Sequence, residues 1–178
     1  MSLLDEVNTL CRAGHLYKVP QSGFQLPQRR TIYGSGLIRT LLAGLGLDQD
    51  QKIRVRELQA DFDFFIDGHK IDLRPLGSVG EPAFMALLEP PSYEVWEFRS
   101  IRSPDPAPSI RVFGSFVQTN AFVALTWAWR KELGAKYSSE WRAAIQEFKE
   151  EWELYFGKFR ALSGRYPDAY LTHARVIR

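Results

Sequence analysis

Between Tyr93 and Trp129 three strand-forming runs follow one another closely, and this block restricts the fold more than any other feature of the chain. The runs are YEVWEFRS (93–100), SIRVFGSFV (109–117) and NAFVALTWAW (120–129), rich in the β-branched and aromatic residues that suit a pleated, half-buried surface. Gln118-Thr119 between the last two is too short for anything but an antiparallel hairpin, because a parallel pair needs a crossover of a dozen or more residues. The proline-rich SPDPAP at 103–108 cannot be a central strand, since proline has no N–H to give to the ladder.

A closing helix comes next. Ser138 or Ser139 is placed to cap it, and Trp141, Ala144, Ile145, Phe148, Trp152 and Tyr155 recur at intervals of three and four up to the terminator Gly157. So aromatic a stripe needs a sheet to cover, and the face carrying Trp96 and Phe98 is the expected partner.

Ahead of the block, Ser2 and Asp5 suit the start of a helix over 2–12, which Pro20, Gly23 and Pro27 separate from the next element. The Tyr33-Gly34-Ser35-Gly36 bend leads into an apolar run, 37–47, that its glycines limit to a short helix. From Lys52 the runs IRVREL and DFDFFI read as strands. Asp67-Gly68 then reads as the turn of a hairpin to Ile71-Asp72-Leu73, because glycine tolerates the positive φ of a tight turn. After Gly77 and Gly80, Pro82 suits a first helical turn, and AFMALL continues a helix that Pro90-Pro91 stops. The expected architecture is α+β, with a mostly antiparallel sheet of about four or five strands, a common size, covered by the C-terminal helix. Residues 1–50 read as a loop-rich helical extension, 51–157 as the core domain and 158–178 as a basic tail.

Composition narrows the functional classes. Hydrophobic residues at 45% and charged residues at 25% are ordinary for a globular chain and exclude disorder as a whole-chain answer. Cys11 is the single cysteine, which forbids an internal disulfide or a multi-cysteine zinc cage and points to the reducing cytoplasm. There is no run of eighteen apolar residues, and Asp5 and Glu6 stand where a signal peptide wants basic residues, so neither membrane insertion nor export is expected. Net charge is only +2, but 16 of the 23 basic residues are arginine, the side chain suited to forked contacts with phosphate or carboxylate. Residues 157–178 hold five basic residues against Asp168, after a segment, 139–156, with five glutamates against Arg142 and Lys149. Such a charge shift suits a solvated helix face followed by a tail, or a phosphate contact.

Alternation along the strands gathers the candidate chemistry. Glu97 and Arg99 share a face of the first run, Arg111 and Phe113 a face of the second, and Trp129, Arg130 and Lys131 end the third. Converged on one surface, the arginines would bind a phosphodiester and Glu97 would be the group able to take a proton. The competing reading is an ordinary cross-strand ion pair between Glu97 and Arg111.

The order short helix, strand with Glu97-Phe98-Arg99, strand with Ser109-Ile110-Arg111-Val112-Phe113, apolar strand ending in Arg130-Lys131 and closing helix resembles the RelE/HigB-like toxin superfamily over residues 80–157. The resemblance implies a small α/β ribonuclease that cleaves messenger RNA without a metal or other cofactor, usually on the ribosome, and is silenced by a small antitoxin protein. Glu97 and Arg99 then match the family's charged strand pair, Arg111 its phosphate-binding arginine, and Arg130 with Lys131 its basic exit from the last strand, so that Glu97, Arg99, Arg111 and Arg130 are the catalytic candidates, with Lys131 and Trp129 as the candidate substrate contacts. Family members are about half this length, a size that suits one small domain. They carry a helical hairpin where this chain reads as one short helix, and often a histidine or tyrosine at the end of the last strand, where this chain has Thr126-Trp127-Ala128-Trp129. A scaffold that keeps the arginines without cleavage, or a non-catalytic interaction domain of phage or mobile-element type, is the alternative.

Other signals are weaker. Asp61, Asp63, Asp67 and Asp72 crowd one stretch at a density that suits Mg²⁺, and Glu97-Phe98-Arg99 resembles the acidic-x-lysine end of metal-dependent nucleases with an arginine that never releases its proton. Cys11 and His15 lack further ligands, Gly34-Ser35-Gly36 lacks the spacing and lysine of a nucleotide loop, and His69 and His173 stand alone. The five tryptophans, Trp96, Trp127, Trp129, Trp141 and Trp152, read as core, with base stacking at Trp127 or Trp129 as the minority option.

Overall fold

A computed structural model describes residues 2–22, 27–76, 83–89, 94–100, 109–135, 138–157, 159–164 and 166–177. In chain order the elements are α1 (Leu3–Arg12), β1 (Tyr17–Lys18), β2 (Thr31–Gly34), α2 (Gly36–Leu42), α3 (Gln49–Ile66), β3 (Ile71–Arg74), β4 (Met85–Glu89), β5 (Val95–Arg99), β6 (Ile110–Gln118), β7 (Ala121–Trp129), α4 (Ser139–Phe156) and β8 (Ala174–Val176), with short 3-10 turns at Arg130–Glu132 and Pro167–Ala169. The readings placed on Gly23, Gly77, Gly80, Pro82, Pro90-Pro91, Tyr93, SPDPAP, Lys158, Arg165 and Arg178 lie outside the described residues.

Among the described residues eight strands form one sheet in the order β1-β2-β7-β6-β5-β4-β3-β8. Pairing is antiparallel from β7 through β4 and between β1 and β2. It is parallel where β2 meets β7 and where β3 meets β4 and β8. The sheet is therefore mostly antiparallel, and helices cover both faces. One apolar core joins α2 and α3 to Trp96, Phe98, Val112, Phe116 and Phe122. The other joins α1 and α4 to Val95, Phe113, Val123 and Leu125.

The expected antiparallel hairpin is present, its two-residue turn one position later than the Gln118-Thr119 read from the sequence. Gln118 pairs with Ala121, and the turn is Thr119-Asn120, with Asn120 at φ +66°, one of the few non-glycine types that tolerates that region. The stripe of α4 is present under a Ser138 N-cap, with Trp141, Ala144, Phe148 and Trp152 buried as read, but Ile145 and Tyr155 are only partly buried and Phe156 is buried beside them. Its partner is the opposite face of the sheet from the one expected. Trp96 and Phe98 pack against α3 (Phe62 lies 4.9 Å from Phe98, ring to ring), while α4 covers Val95 and Phe113. Because β5 is buried on both faces, alternation separates its two faces without revealing which helix meets which.

Two further readings are corrected. The runs IRVREL and DFDFFI are one 18-residue helix, α3, started by a capping box between Asp48 and Gln51. Val55, Leu58, Phe62, Phe65 and Ile66 give it a buried stripe at helical spacing. Asp67 is its C-cap and Gly68, at φ +82°, comes directly after it. A helix terminus and a tight hairpin turn both demand positive φ, so Asp-Gly fits either. Conversely AFMALL, read as a helix, supplies strand β4, whose Met85 pairs with Phe98 on one side and Leu73 on the other. Ladder bonds on both edges override the helix preference of Ala, Met and Leu.

The N-terminal segment contributes α1, β1, β2 and α2, with β2 seated beside β7. The C-terminal segment adds edge strand β8 against β3. Holding these together is Arg30, 1% exposed, whose guanidinium donates to the carbonyls of Phe65, His69 (2.8 Å) and Thr172 (2.5 Å). Its charge sits at the carbonyl end of α3, where the helix dipole favours a cation. Burial nonetheless lowers its pKa to about 10.

Candidate functional site: an arginine-rich corner of the sheet

Strand geometry brings the charged residues together. In β5, Val95, Glu97 and Arg99 point to the α4 side while Trp96 and Phe98 point to the α3 side. Register sets Arg99 opposite Arg111 and Glu97 opposite Phe113, so the Glu97 and Arg111 side chains meet diagonally across the strand pair.

The Glu97 carboxylate is fully buried and flanked on both oxygens. Oε2 accepts from Arg99 Nε (2.9 Å) and Nη2 (2.7 Å), and Arg111 Nε lies 2.7 Å from Oε1. The Arg99 and Arg111 side chains retain only 13% and 15% exposure. Arg111 Nη1 is further held by Ser109 Oγ (3.0 Å) and the Ile110 carbonyl (3.2 Å). Burial pulls the Arg111 pKa below the usual arginine value, the neighbouring Glu97 carboxylate pushes it back, and the fields of Arg99 and Arg130 lower it again. The guanidinium stays charged at neutral pH all the same.

Arg130 joins from the end of β7. Its Nη1 donates to the Gly134 carbonyl (2.6 Å), and its guanidinium stands 5.4 Å from the Trp141 ring centroid. Arg99 and Arg111 thus hold the Glu97 carboxylate between them, and Arg130, near enough to act on the Arg111 guanidinium, stands at the same end of the sheet beside the start of α4. The cross-strand ion pair between Glu97 and Arg111 is present, buried rather than solvated. Sequence reasoning missed Ser109 and Trp141 as supports, although Ser109 stands two residues from Arg111 and so on its face of β6.

Lys131 is exposed in the 3-10 turn after β7. Trp129 is not in the corner. It is 5% exposed, belongs to the α3-side core and stacks edge-on with Trp127 at 5.5 Å. Stacking on an RNA base therefore has to be withdrawn for Trp129, because the ring points through the other face of the sheet.

The aspartates disperse. Asp61 is buried and accepts from Ser100 Oγ (3.0 Å), Asp63 accepts from Ser22 N (3.0 Å), Asp67 accepts from Gln21 Nε2 (2.5 Å), and Asp72 forms a forked pair with Arg175 (2.7 and 2.8 Å). Helix α3, where two strands were expected, turns Asp61 inward and leaves Asp63 at its rim. Among the described residues no cluster of three or more His, Cys, Asp or Glu side chains is placed to share an ion, and no helix is long and apolar enough to cross a membrane.

As chemistry, the corner can hold an anion against Arg99, Arg111 and Arg130. It does not present a free base, because a substrate hydroxyl reaches Glu97 only by displacing one of its arginines. No protein-family model, curated protein or solved structure matches the chain.

Proposed function

We propose that the protein is an RNA-binding domain on a RelE/HigB-like scaffold, in which the arginine corner takes a phosphate and Glu97 is the internal counter-charge that holds Arg99 and Arg111 in position. The observation that carries this reading is the burial of Glu97 with both carboxylate oxygens engaged by arginine. A carboxylate so placed supports binding without cleavage. The same resemblance brings the ribosome and a small antitoxin as partners and a cytoplasmic setting.

Metal-independent cleavage is the second reading, and one feature favours it. Two touching helices, α2 and α3, stand ahead of the charged strand as the family's hairpin does, but they lie outside residues 80–157, and the short helix read at AFMALL is strand β4. In that reaction the RNA 2′-hydroxyl attacks the adjacent phosphorus while Glu97 swings free to accept its proton, the bond from phosphorus to the 5′-oxygen breaks to leave a 2′,3′-cyclic phosphate, the departing 5′-oxygen takes a proton from water, and the arginines stabilise the phosphoryl oxygens.

Fluorescence anisotropy with a short RNA at two salt concentrations tests the first reading. Arg130→Ala and Lys131→Ala, which spare the buried triad, should weaken binding and reduce the salt slope by roughly 0.7 for each phosphate no longer neutralised. An affinity indifferent to salt and to both substitutions refutes RNA binding and leaves a non-catalytic interaction domain. Cleavage of messenger RNA with ribosomes in excess EDTA, abolished in a folded Glu97→Gln protein, establishes the second reading instead.

A further inference from the structure

At the C-terminal end of α3 an open hollow of about 280 Å³ is bordered by Pro27, Arg29, Asp67, Gly68 and His69, close to the lower limit of about 300 Å³ for small-molecule sites. It lies far from the arginine corner. Arg29 stands just ahead of β2, whose first residue, Thr31, pairs with the first residue of β7, whereas Arg130 follows the last residue of β7. The length of that nine-residue strand, roughly 26 Å, separates the two.

The aromatic wall is a prepared surface. The His69 imidazole lies parallel on the Phe64 ring, 4.3 Å away and tilted by 10°, and the His69 side chain is still 49% exposed. Phe64 covers one face of the imidazole and does not border the hollow, which leaves the other face and the edge of His69 to line it. The backbone beneath the ring is fixed as well. The buried Arg30 guanidinium donates to the His69 carbonyl (2.8 Å), and the His69 amide donates to the Phe64 carbonyl (3.4 Å). An exposed ring that is already oriented, and backed by a second ring, receives a stacking base with little further ordering.

Arg29 brings the charge. Its amide donates to the Ile66 carbonyl (3.0 Å), and its stem lies against Gly68, where a Cβ would come within 2.7 Å of Arg29 Cβ and Cδ. Gly68 adopts φ +82°, so glycine serves both the left-handed turn and the close approach. Among the described residues nothing pairs with the exposed Arg29 guanidinium. The negative end of α3 does not consume that charge, because its Phe65 carbonyl already meets the Arg30 guanidinium. Asp67 is engaged by Gln21 Nε2 (2.5 Å), with its Oδ2 3.9 Å from His69 Nε2.

We infer that this hollow is a second, separate binding site, for a 5′-phosphorylated nucleotide whose base stacks on the open face of His69 while its phosphate takes the Arg29 fork. The imidazole platform selects a flat ring and the unpaired guanidinium beside it selects an oxyanion, a combination that a nucleotide supplies. That chemistry is shared by a free nucleotide and by one within an RNA strand. The site does not rest on RNA binding at the arginine corner.

The probe is 2-aminopurine riboside 5′-monophosphate, whose emission falls when its base stacks. The full chain should quench it saturably at one site, and the riboside without phosphate should bind about tenfold more weakly, the worth of charged hydrogen bonds to one phosphate. His69→Ala should weaken nucleotide binding at least about fivefold, and His69→Phe should restore it, since a flat ring is what the base needs. Arg29→Ala should bring the nucleotide down to the affinity of the riboside. Both side chains are exposed, so the variants should keep the parent circular dichroism spectrum. Competition by a short oligoadenylate, itself weakened by His69→Ala, identifies an RNA nucleotide as the occupant, and saturable quenching without such competition identifies a free one. Absence of saturable quenching, equal affinity for nucleotide and riboside, or undiminished affinity in folded His69→Ala or Arg29→Ala overturns the assignment.

Discussion

Glu97→Gln separates a structural counter-charge from a catalytic base, and the geometry sets the size of its effect. The carboxylate receives two hydrogen bonds from Arg99 on Oε2 and the Arg111 Nε contact on Oε1, with hydrogen bonds to charged groups worth about 1.5–3 kcal/mol each. Removing one member of a buried ion pair costs about 3–5 kcal/mol, because the partners stay behind as uncompensated charge. Here the arginine side chains keep some contact with solvent, 13% and 15%, so part of that charge is rehydrated and the lower end applies, about 3 kcal/mol. With a urea dependence of about 2 kcal/mol per molar, the unfolding midpoint followed by tryptophan fluorescence should fall by about 1.5 M. Replacing Glu97, Arg99 and Arg111 together by methionine should recover most of that stability, since a buried ion cluster and an apolar one of similar volume are close in free energy. A Glu97→Gln midpoint within about 0.2 M of the parent refutes the counter-charge role.

Three further expectations rest on buried side chains and one close backbone approach. Arg30→Met strands the carbonyls of Phe65, His69 and Thr172 and should destabilise by about 2–4 kcal/mol in the same urea assay, with Arg30→Lys recovering less than half because one ammonium cannot span them; full recovery by lysine would contradict the forked geometry. Gly114→Ala places a methyl group 2.2 Å from the Val123 carbonyl oxygen across the β6–β7 pair, so a destabilisation of more than about 2 kcal/mol is expected, and unchanged thermal stability would refute the close approach. Burial, the first cause at both, pushes the pKa of Tyr17 and Tyr170 up to about 12 from 10.0. A raised folded pKa binds the proton more tightly in the native state, so their contribution is complete below pH 10 and disappears as pH climbs through 12. Phenolate absorbance should show both tyrosines ionising only with that transition, and their normal titration in folded protein near pH 10 would count against it.

Local signals were sufficient where the chain closes its contacts over short distances. The hairpin through Thr119-Asn120, the capped aromatic stripe of α4 and the sharing of one face by Glu97, Arg99 and Arg111 all follow from turn chemistry and periodicity. Helix α3 was legible too, in the Asp48–Gln51 capping box and the 55-58-62-65-66 spacing. It was obscured because IRVREL and DFDFFI also alternate, and Asp67-Gly68 serves a helix end as well as a hairpin.

What tertiary structure alone decided is where no local period carries the information. β4 is a strand because β3 and β5 flank it, although Ala, Met and Leu favour a helix. α4 covers Val95 and Phe113 rather than Trp96 and Phe98, because a strand buried on both faces has no polar side to mark its orientation. Burial of Glu97 depends in the same way on the helix layer above it: alternation placed the carboxylate beside its arginines, but only packing removed it from water. The hollow at His69 joins Arg29, from ahead of β2, to the end of α3, a convergence created by the long-range hydrogen bonds of the Arg29 and Arg30 amides to Ile66 that no stretch of sequence contains.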